Sequence, residues 1–396
     1  MKKVLYKNFN LFNGFENTTY KNCWMLVNND GKLEAVSSSN SFPNENDLKV
    51  VDLENKYVMP GLVNCHTHIT LDSNTHDGGV SVDQTEATVR ALSNLKDLLK
   101  SGVTYIRECG SMFGLDTTLA KLQRKGLLKK SPEIMSSGCA LTMTGGHGDY
   151  PNGGKTVDSP DEMRKAVRNN FKNGAQSTKV MASGGVMSPG DYMDEAQLTV
   201  EELKVAVEET HNKHAVVAAH AEGNPGIMNA LKAGVDSIEH GFYLNDEELE
   251  MMLDNNQYLT PTLVSAWCIA EYGKDTLPAW ELNKLTDALD DIYKNVNRAY
   301  EKGVKVTLGT DAGTPYNNFQ KTPKEFELMT KKEHFSNFDA LKTSLHSAEL
   351  MNLKDYGTLE SGKYADFLVL NENPLEDVVA VQQSDKQVYK FGRRVF

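Results

Sequence analysis

Residues 58–68 read Val-Met-Pro-Gly-Leu-Val-Asn-Cys-His-Thr-His, an apolar run of strand length ending in two histidines two positions apart. Side chains at i and i+2 of a strand share a face, so His66 and His68 can both reach one ion near the strand's C-terminal end. Cys65 and Thr67 then face away. On its own, His-x-His is a weak signal in a chain of ten histidines. Its weight comes from residues further along the chain.

From Val58 onward, apolar strand, loop and amphipathic helix alternate, as they do in parallel βα units. The pattern predicts eight strands near 58–66, 103–107, 134–141, 177–182, 215–220, 235–240, 258–263 and 304–310. Ser159-Pro160-Asp161-Glu162 offers a capping box with proline at the first helical position, and Thr199 with Glu202 offers another. Gly102, Gly174 and Gly303 fit helix stops. Eight strands with helices between them predict a (β/α)8 TIM barrel over 57–356. The flanks read differently. Residues 1–56 hold short strand candidates at Trp24–Val27 and Leu33–Val36, separated by Asn-Asn-Asp-Gly and followed by a Ser/Asn/Pro-rich stretch at 37–46. Strand texture returns after 357, at Ala365–Leu370 and Gln387–Val395, around a turn at Asn371–Pro374. Segments 1–56 and 357–396 are therefore expected to form one small β-sandwich domain.

The 396 residues are 39% hydrophobic and 24% charged, enough for one large domain with a sizeable core plus a smaller module. A net charge of −12 without a Lys/Arg run gives nucleic acid no electrostatic footing. Met-Lys-Lys at the start leads into no signal-peptide core, and no stretch approaches the roughly 20 apolar residues of a membrane span. The cysteines (Cys23, Cys65, Cys109, Cys139 and Cys268) are scattered and odd in number, as expected of reduced thiols in a cytoplasmic protein.

A barrel's chemistry sits at the C-terminal ends of its strands. There the sequence offers His66 and His68, Lys179 in Ser-Thr-Lys-Val-Met-Ala-Ser-Gly-Gly, His220 in Ala-Ala-His-Ala-Glu-Gly, His240, and Asp311. Taken singly, the histidines fit satisfied core residues, the lysine a surface chain and the aspartate a turn cap. Taken together, imidazole and carboxylate groups at one end of successive parallel strands converge on a single volume.

The chain also carries, besides the stretch around His66, Lys179-Val-Met-Ala-Ser-Gly-Gly, Ser-Ile-Glu-His-Gly, Thr-Leu-Gly-Thr-Asp-Ala-Gly and Gly-Lys-Tyr-Ala-Asp-Phe. Through them, and over nearly its whole length, the sequence resembles the amidohydrolase superfamily, whose barrels carry a binuclear metal centre, and within it the prolidases (Xaa-Pro dipeptidases) and their imidazolonepropionase-like relatives. The resemblance implies that His66, His68 and Asp311 hold one metal and His220 and His240 the other, with Lys179 bridging. It also implies a homo-oligomer. Lysine can bridge only as a carbamate, because an ammonium has three donors and no lone pair. Burial beside cations favours the neutral amine that reacts with carbon dioxide, and Val180, Met181 and Ala182 suit a buried position. Imidazoles with partly anionic oxygens favour two Zn ions, with Mn or Co as alternatives. No cysteine falls at a ligand position.

The expected chemistry is hydrolysis by metal-activated hydroxide, with Asp311 as general base and then general acid, as the resemblance implies. His147, in the Gly-rich Thr-Gly-Gly-His-Gly-Asp, and Tyr243, three residues after His240, are the foremost substrate contacts, positions the resembling group uses in this way. Gly184 and Gly185 are secondary candidates as backbone donors, and Arg107 and Glu108 as a supporting ion pair. Glu222 shares a face with His220, although Gly-Asn-Pro after it suggests the strand has ended.

Three functions compete. A one-metal deaminase or cyclic-amide (imidazolone) hydrolase would not need Lys179, and its usual helper glutamate, three residues past the strand-five histidine, is here Gly223. A non-catalytic assembly protein of the same fold would be expected to have lost ligands, whereas all six are present. The favoured reading is a metal-dependent amidohydrolase of dipeptides, Xaa-Pro or with another C-terminal residue, or of N-acyl amino acids.

Overall fold

The computed structural model of the chain describes residues 3–39, 42–44, 48–187 and 190–396. Positions 40, 41, 45 and 46 of the Ser/Asn/Pro-rich stretch lie outside them. Among the described residues the chain opens with strands Val4–Leu11 (β1), Tyr20–Val27 (β2), Leu33–Ser37 (β3), Lys49–Asp52 (β4) and Tyr57–Pro60 (β5). It continues with Leu62–Thr67 (β6), Val103–Glu108 (β7), Glu133–Met135 (β8), Leu141–Thr142 (β9), Lys155–Thr156 (β10) and Thr178–Met181 (β11). Val217–Ala221 (β12), Ser237–His240 (β13), Tyr258–Thr260 (β14) and Lys305–Val306 (β15) follow, and Phe367–Leu370 (β16), Gln387–Lys390 (β17) and Arg393–Arg394 (β18) close it.

Strands from both ends of the chain pair with one another. They form one eight-stranded sheet in the order β18-β17-β16-β5-β1-β2-β3, with β4 also on β1. β1 can serve two neighbours because its register shifts between Lys7 and Leu11; residues 4–7 pair with β4 and residues 10–11 with β5. Phe9, Met25, Leu33, Val58 and Phe367 pack together there.

Between the ends lie parallel strands in two sheets, β6-β7-β8 and β10-β9-β11-β12-β13-β14-β15. Backbone hydrogen bonds also run from one sheet to the other at both sides. The Cys65 N–H donates to Leu308 and Thr67 bridges Ala312, while the Gln176 N–H donates to Ser136. Helices alternate with these strands, and the main core, which includes Leu95, Leu98, Ile227, Leu231, Ile292 and Val296, fills the space between them.

Local chemistry sets the helix ends. The Thr199 hydroxyl accepts from the Glu202 N–H while the Glu202 carboxylate accepts from the Thr199 N–H, closing the expected capping box. Ser159 caps Glu162 N, but the Glu162 carboxylate takes the Asp158 N–H instead, so only half of that box forms. Gly102, Gly174 and Gly303 all stop helices in the left-handed region. Among the described residues no helix is long and apolar enough to cross a membrane.

Two expected strands are divided. The run 58–66 is split at Gly61, with β5 in the end sheet and β6 in the parallel one. A Cβ at Gly61 would stand 2.5 Å from the Thr104 side chain, so only glycine lets the chain cross between sheets this closely. The run 134–141 becomes β8 and β9, because the buried Asp116 carboxylate takes the Ser137 and Gly138 N–H groups out of strand pairing.

At the junction of the two regions, Lys390 Nζ donates to Glu133 Oε1 and to the Ser131 carbonyl, each at 2.7 Å. Asp366 Oδ1 accepts the Phe391 N–H at 2.6 Å. Burial raises the Asp366 carboxyl to about 7, against the pull of Lys390. Because the folded-state pKa lies above that of an unfolded aspartate, folding favours the protonated form. That contribution is complete below about pH 4 and is lost as pH rises through about 7. Asp366→Asn keeps an acceptor for Phe391 and should gain on the wild type by on the order of 2–4 kcal/mol between pH 4 and pH 8. Urea unfolding across that range measures it, and parallel curves for the two proteins would refute the assignment.

Candidate metal centre

His66 lies near the end of β6, and His68 sits one residue beyond it; Lys179, His220 and His240 sit on β11, β12 and β13, and Asp311 comes after β15. All six line one cavity of about 420 Å³, together with His147, Glu222, Ser265 and an apolar wall that includes Leu71, Met181, Phe242 and Ile269. Asp311 Oδ1 lies 3.0 Å from His68 Nε2 and 3.3 Å from His66 Nε2. The His66 and His240 rings are 5.1 Å apart, and those of His220 and His240 4.6 Å. His240 and Asp311 take φ of 76° and 55°, left-handed conformations that non-glycine residues hold at a cost of roughly 1–3 kcal/mol.

Donor-rich groups lie within 4.8 Å in three places, of which His66/His68/Asp311 and His220/Glu222/His240 face the cavity. The four imidazoles and the Asp311 carboxylate among them fit divalent cations. Burial, first of all, keeps His68 below the usual imidazole range and His220 and His240 well below it, leaving neutral rings with lone pairs to give. Burial opposes ionisation of Asp311, yet His66 and His68 hold its carboxyl well below the ordinary range. His66, Cys109 and Glu239 form a third such cluster. There burial raises the Cys109 thiol to about 12, which keeps it protonated and unsuited to a metal.

Partners behind the rings fix how they face. Glu239 Oε2 meets His66 Nδ1 at 2.7 Å, and Glu239 Oε1 accepts from Arg107 at 2.7 Å. His68 Nδ1 lies 3.1 Å from the Gly110 carbonyl and His240 Nδ1 2.8 Å from the Thr262 hydroxyl, turning the Nε2 atoms toward the cavity. Burial would raise Glu239, but Arg107 and then His66 hold it far below the usual carboxylate range. Arg107 does not pair with Glu108. Adjacent residues on a strand point to opposite faces, and Glu108 accepts from the Ile69 N–H and the Thr67 hydroxyl instead.

Lys179 is 1% exposed, and among the described residues its ammonium has neither a hydrogen-bond partner nor an ion pair. It is nonetheless close enough to His68, His220, His240 and Glu239 to act on their charge.

The expected substrate contacts fare differently. His147 lines the cavity, its ring stacked on His220 at 4.2 Å and its Nδ1 3.3 Å from Asp191 Oδ2. Tyr243 is half-buried outside the lining, where Phe242 takes its place. Gly184 and Gly185 do not offer free donors, because their N–H groups already reach the Glu195 carbonyl and the Asp191 carboxylate. A Cβ at Gly185 would stand 2.5 Å from His147 Cε1 and 3.0 Å from His220 Nε2, so glycine makes room for the ring stack.

Glu222 is the residue that strand reasoning set aside. β12 does end at Ala221, yet the next side chain still enters the cavity, with Oε1 3.8 Å from His220 Nε2 and Oε2 without a hydrogen-bond partner. Burial, then Asp191 and Asp311, hold its carboxyl well above the ordinary range. The His-Ala-Glu spacing was the signal for it.

A model of the amidohydrolase family matches residues 57–395. Ochratoxinase of Aspergillus niger is 32% identical over 371 residues, 85% of this chain and 75% of that protein. Its crystal structure aligns at a TM-score of 0.87 and 28% identity, over 99% of this chain and 95% of that one. A Xaa-Pro dipeptidase with methionine in its active site aligns at 0.90 and 28% identity, covering 99% of each chain. A prolidase complexed with N-methylphosphonate-L-proline aligns at 0.91 and 26% identity, again over 99% of each.

Arg107 is fully buried and is the cation that Glu239 depends on. Arg107→Leu should therefore destabilise the metal-free protein by about 3–5 kcal/mol, since it leaves a buried carboxylate unpaired. Equilibrium denaturation measures this, and a loss below about 1 kcal/mol would show that the pair does not hold the site.

Proposed function

The chain belongs to the amidohydrolase family and is a hydrolase of carbon–nitrogen bonds; we propose that it cleaves the amide bond of small carboxylate-bearing substrates, dipeptides or N-acyl amino acids, at a centre of two divalent cations, Zn foremost. The observation that carries this reading is Lys179, buried without a counterion among four imidazoles and Asp311. A buried unpaired ammonium costs several kcal/mol. Its neutral amine, reacting with carbon dioxide, releases a proton and becomes a carbamate, which gives oxygen donors to both cations. His66, His68 and Asp311 would hold one cation, and His220 and His240 the other.

Bound there, the cations supply Lewis acidity toward the scissile carbonyl and bring the pKa of water toward about 7. Asp311, ionised and with Oδ2 accepting from the Ser265 hydroxyl at 3.1 Å, would take the proton of the attacking water and return it to the leaving amine. His147, held by Asp191 and by its stack on His220, would meet the substrate carboxylate, with Tyr243 contributing from outside the lining. The ligands of two similar structures, methionine and an N-substituted proline, both carry an α-carboxylate and support this substrate class.

The frame for this chemistry is read as a closed (β/α)8 barrel over 57–356, with 1–56 and 357–396 as a small β-domain. The hydrogen bonds that link the two parallel sheets at both sides, and the sheet shared by the chain ends, support it. A deaminase would want a glutamate where Gly223 stands, and a Cβ there would lie 2.3 Å from the Met193 carbonyl.

Elemental analysis of the purified protein should find about two divalent metals per chain, and Lys179→Ala should lower that content. Asp311→Asn should lose about 10²–10⁴-fold in kcat on whichever dipeptides or N-acyl amino acids a screen shows to be cleaved. One metal per chain with unimpaired Lys179→Ala turnover would sink the two-cation reading.

A further inference from the structure

Glu222 is 3% exposed, lines the cavity and has an Oε2 without a hydrogen-bond partner. Its Oε1 is 3.8 Å from His220 Nε2, beyond hydrogen-bond reach, and among the described residues no lysine or arginine forms an ion pair with it. The nearby Lys284 ammonium is directed elsewhere, donating to the Asp191 and Gly185 carbonyls at 2.6 and 3.2 Å and standing 3.6 Å from Asp191 Oδ1. The backbone around Glu222 is fully used. Its N–H donates to the Ser183 hydroxyl, its carbonyl accepts the Tyr243 N–H, and the adjoining Gly223 is packed against Met193, so the side chain is held where it is. Lys284 and the Val186 N–H favour its charged form, but neither is an ion-pair partner, and the cavity is where a cation can enter to pair with it.

Position decides which cation this is. One Glu222 oxygen lies within 4.8 Å of ring nitrogens of both His220 and His240, beside the reacting centre and not at the cavity's far end. In a dipeptide the α-ammonium nitrogen is two bonds, about 2.5 Å, from the scissile carbonyl carbon. A carboxylate that binds this ammonium must therefore stand next to the site of attack, as Glu222 does. A long basic side chain would carry its charge several ångströms further away. An N-acyl amino acid has no cation to offer at this place.

We propose that Glu222 binds the free α-ammonium of the substrate, so that the enzyme selects dipeptides over N-acylated amino acids. This rests on the amide-hydrolase reading and narrows its substrate class. Glu222 is then a specificity-determining residue that pairs with the amine end of the substrate.

L-Alanyl-L-proline, L-alanyl-L-methionine and their N-acetyl counterparts are the probes. In the wild type, kcat/KM should favour the free amine over its N-acetyl partner by about tenfold or more. Glu222→Gln, which keeps shape and removes charge, should reduce that ratio at least as much, chiefly through KM, and should leave the metal content per chain as in the wild type. A wild-type ratio near one, or a ratio that Glu222→Gln does not move, overturns the assignment. Loss of metal in Glu222→Gln also overturns it, making the residue a ligand. Hydrolysis of neither member of a pair counts against the amide-hydrolase reading instead. In that case calorimetric binding of the same pairs still decides on Glu222, because equal affinities for amine and N-acetyl forms exclude the pairing.

Discussion

Charge that cannot be left to water governs this structure. Around one cavity the chain buries a lysine, an arginine, four imidazoles and several carboxyls, and each must find a partner or forgo its charge. Arg107 meets this demand for Glu239, and Glu239 in turn orients His66. Asp311 Oδ1 stands against the Nε2 atoms of His66 and His68. Lys179 and Glu222 are left over, and in the proposed chemistry they are the two groups whose needs are met only from outside the protein, by carbon dioxide and cations for one and by a substrate ammonium for the other. On that proposal, the imbalance within the polypeptide is the basis of the chemistry.

Holding such groups in register requires rigid supports at one end of the strands. β6, β11, β12 and β13 deliver His66, Lys179, His220 and His240 from paired backbone, so the spacing of these four is set by strand geometry. Where the pattern departs from regular strand, the departure has a purpose. His240 and Asp311 accept left-handed backbone to turn inward, and Gly185 gives up its side chain so that His147 can lie flat on His220. The eight-stranded sheet built from both chain ends is tied to this region through Gly61, Asp366 and Lys390, where one chain passes between two sheets with no room for a Cβ.

Much of this is legible in the residues alone. The helix stops at Gly102, Gly174 and Gly303 and the Thr199–Glu202 box are local signals, and local backbone chemistry delivers them unchanged. The six polar residues at strand ends can be gathered from the sequence because parallel strands present their C-terminal ends together. Less local features go astray. Arg107 and Glu108 are neighbours in sequence but sit on opposite faces, so the arginine finds its partner 132 positions away. The Gly184 and Gly185 amides look free only because the acceptors they use, on Glu195 and Asp191, arrive from a loop that the sequence does not position.

The sequence by itself determined the alternation of strand and helix, the pairing of the two ends, and which side chains stand at the strand termini, because periodicity, caps and side-chain chemistry are properties of short segments. Tertiary structure alone decided which charges are compensated. Glu222 enters the cavity past the end of its strand, Lys179 reaches the same cavity with no ion pair among the described residues, and Tyr243 yields its place in the lining to Phe242. Desolvation and distance depend on every element that packs around a group, and those are known only once the chain has closed upon itself.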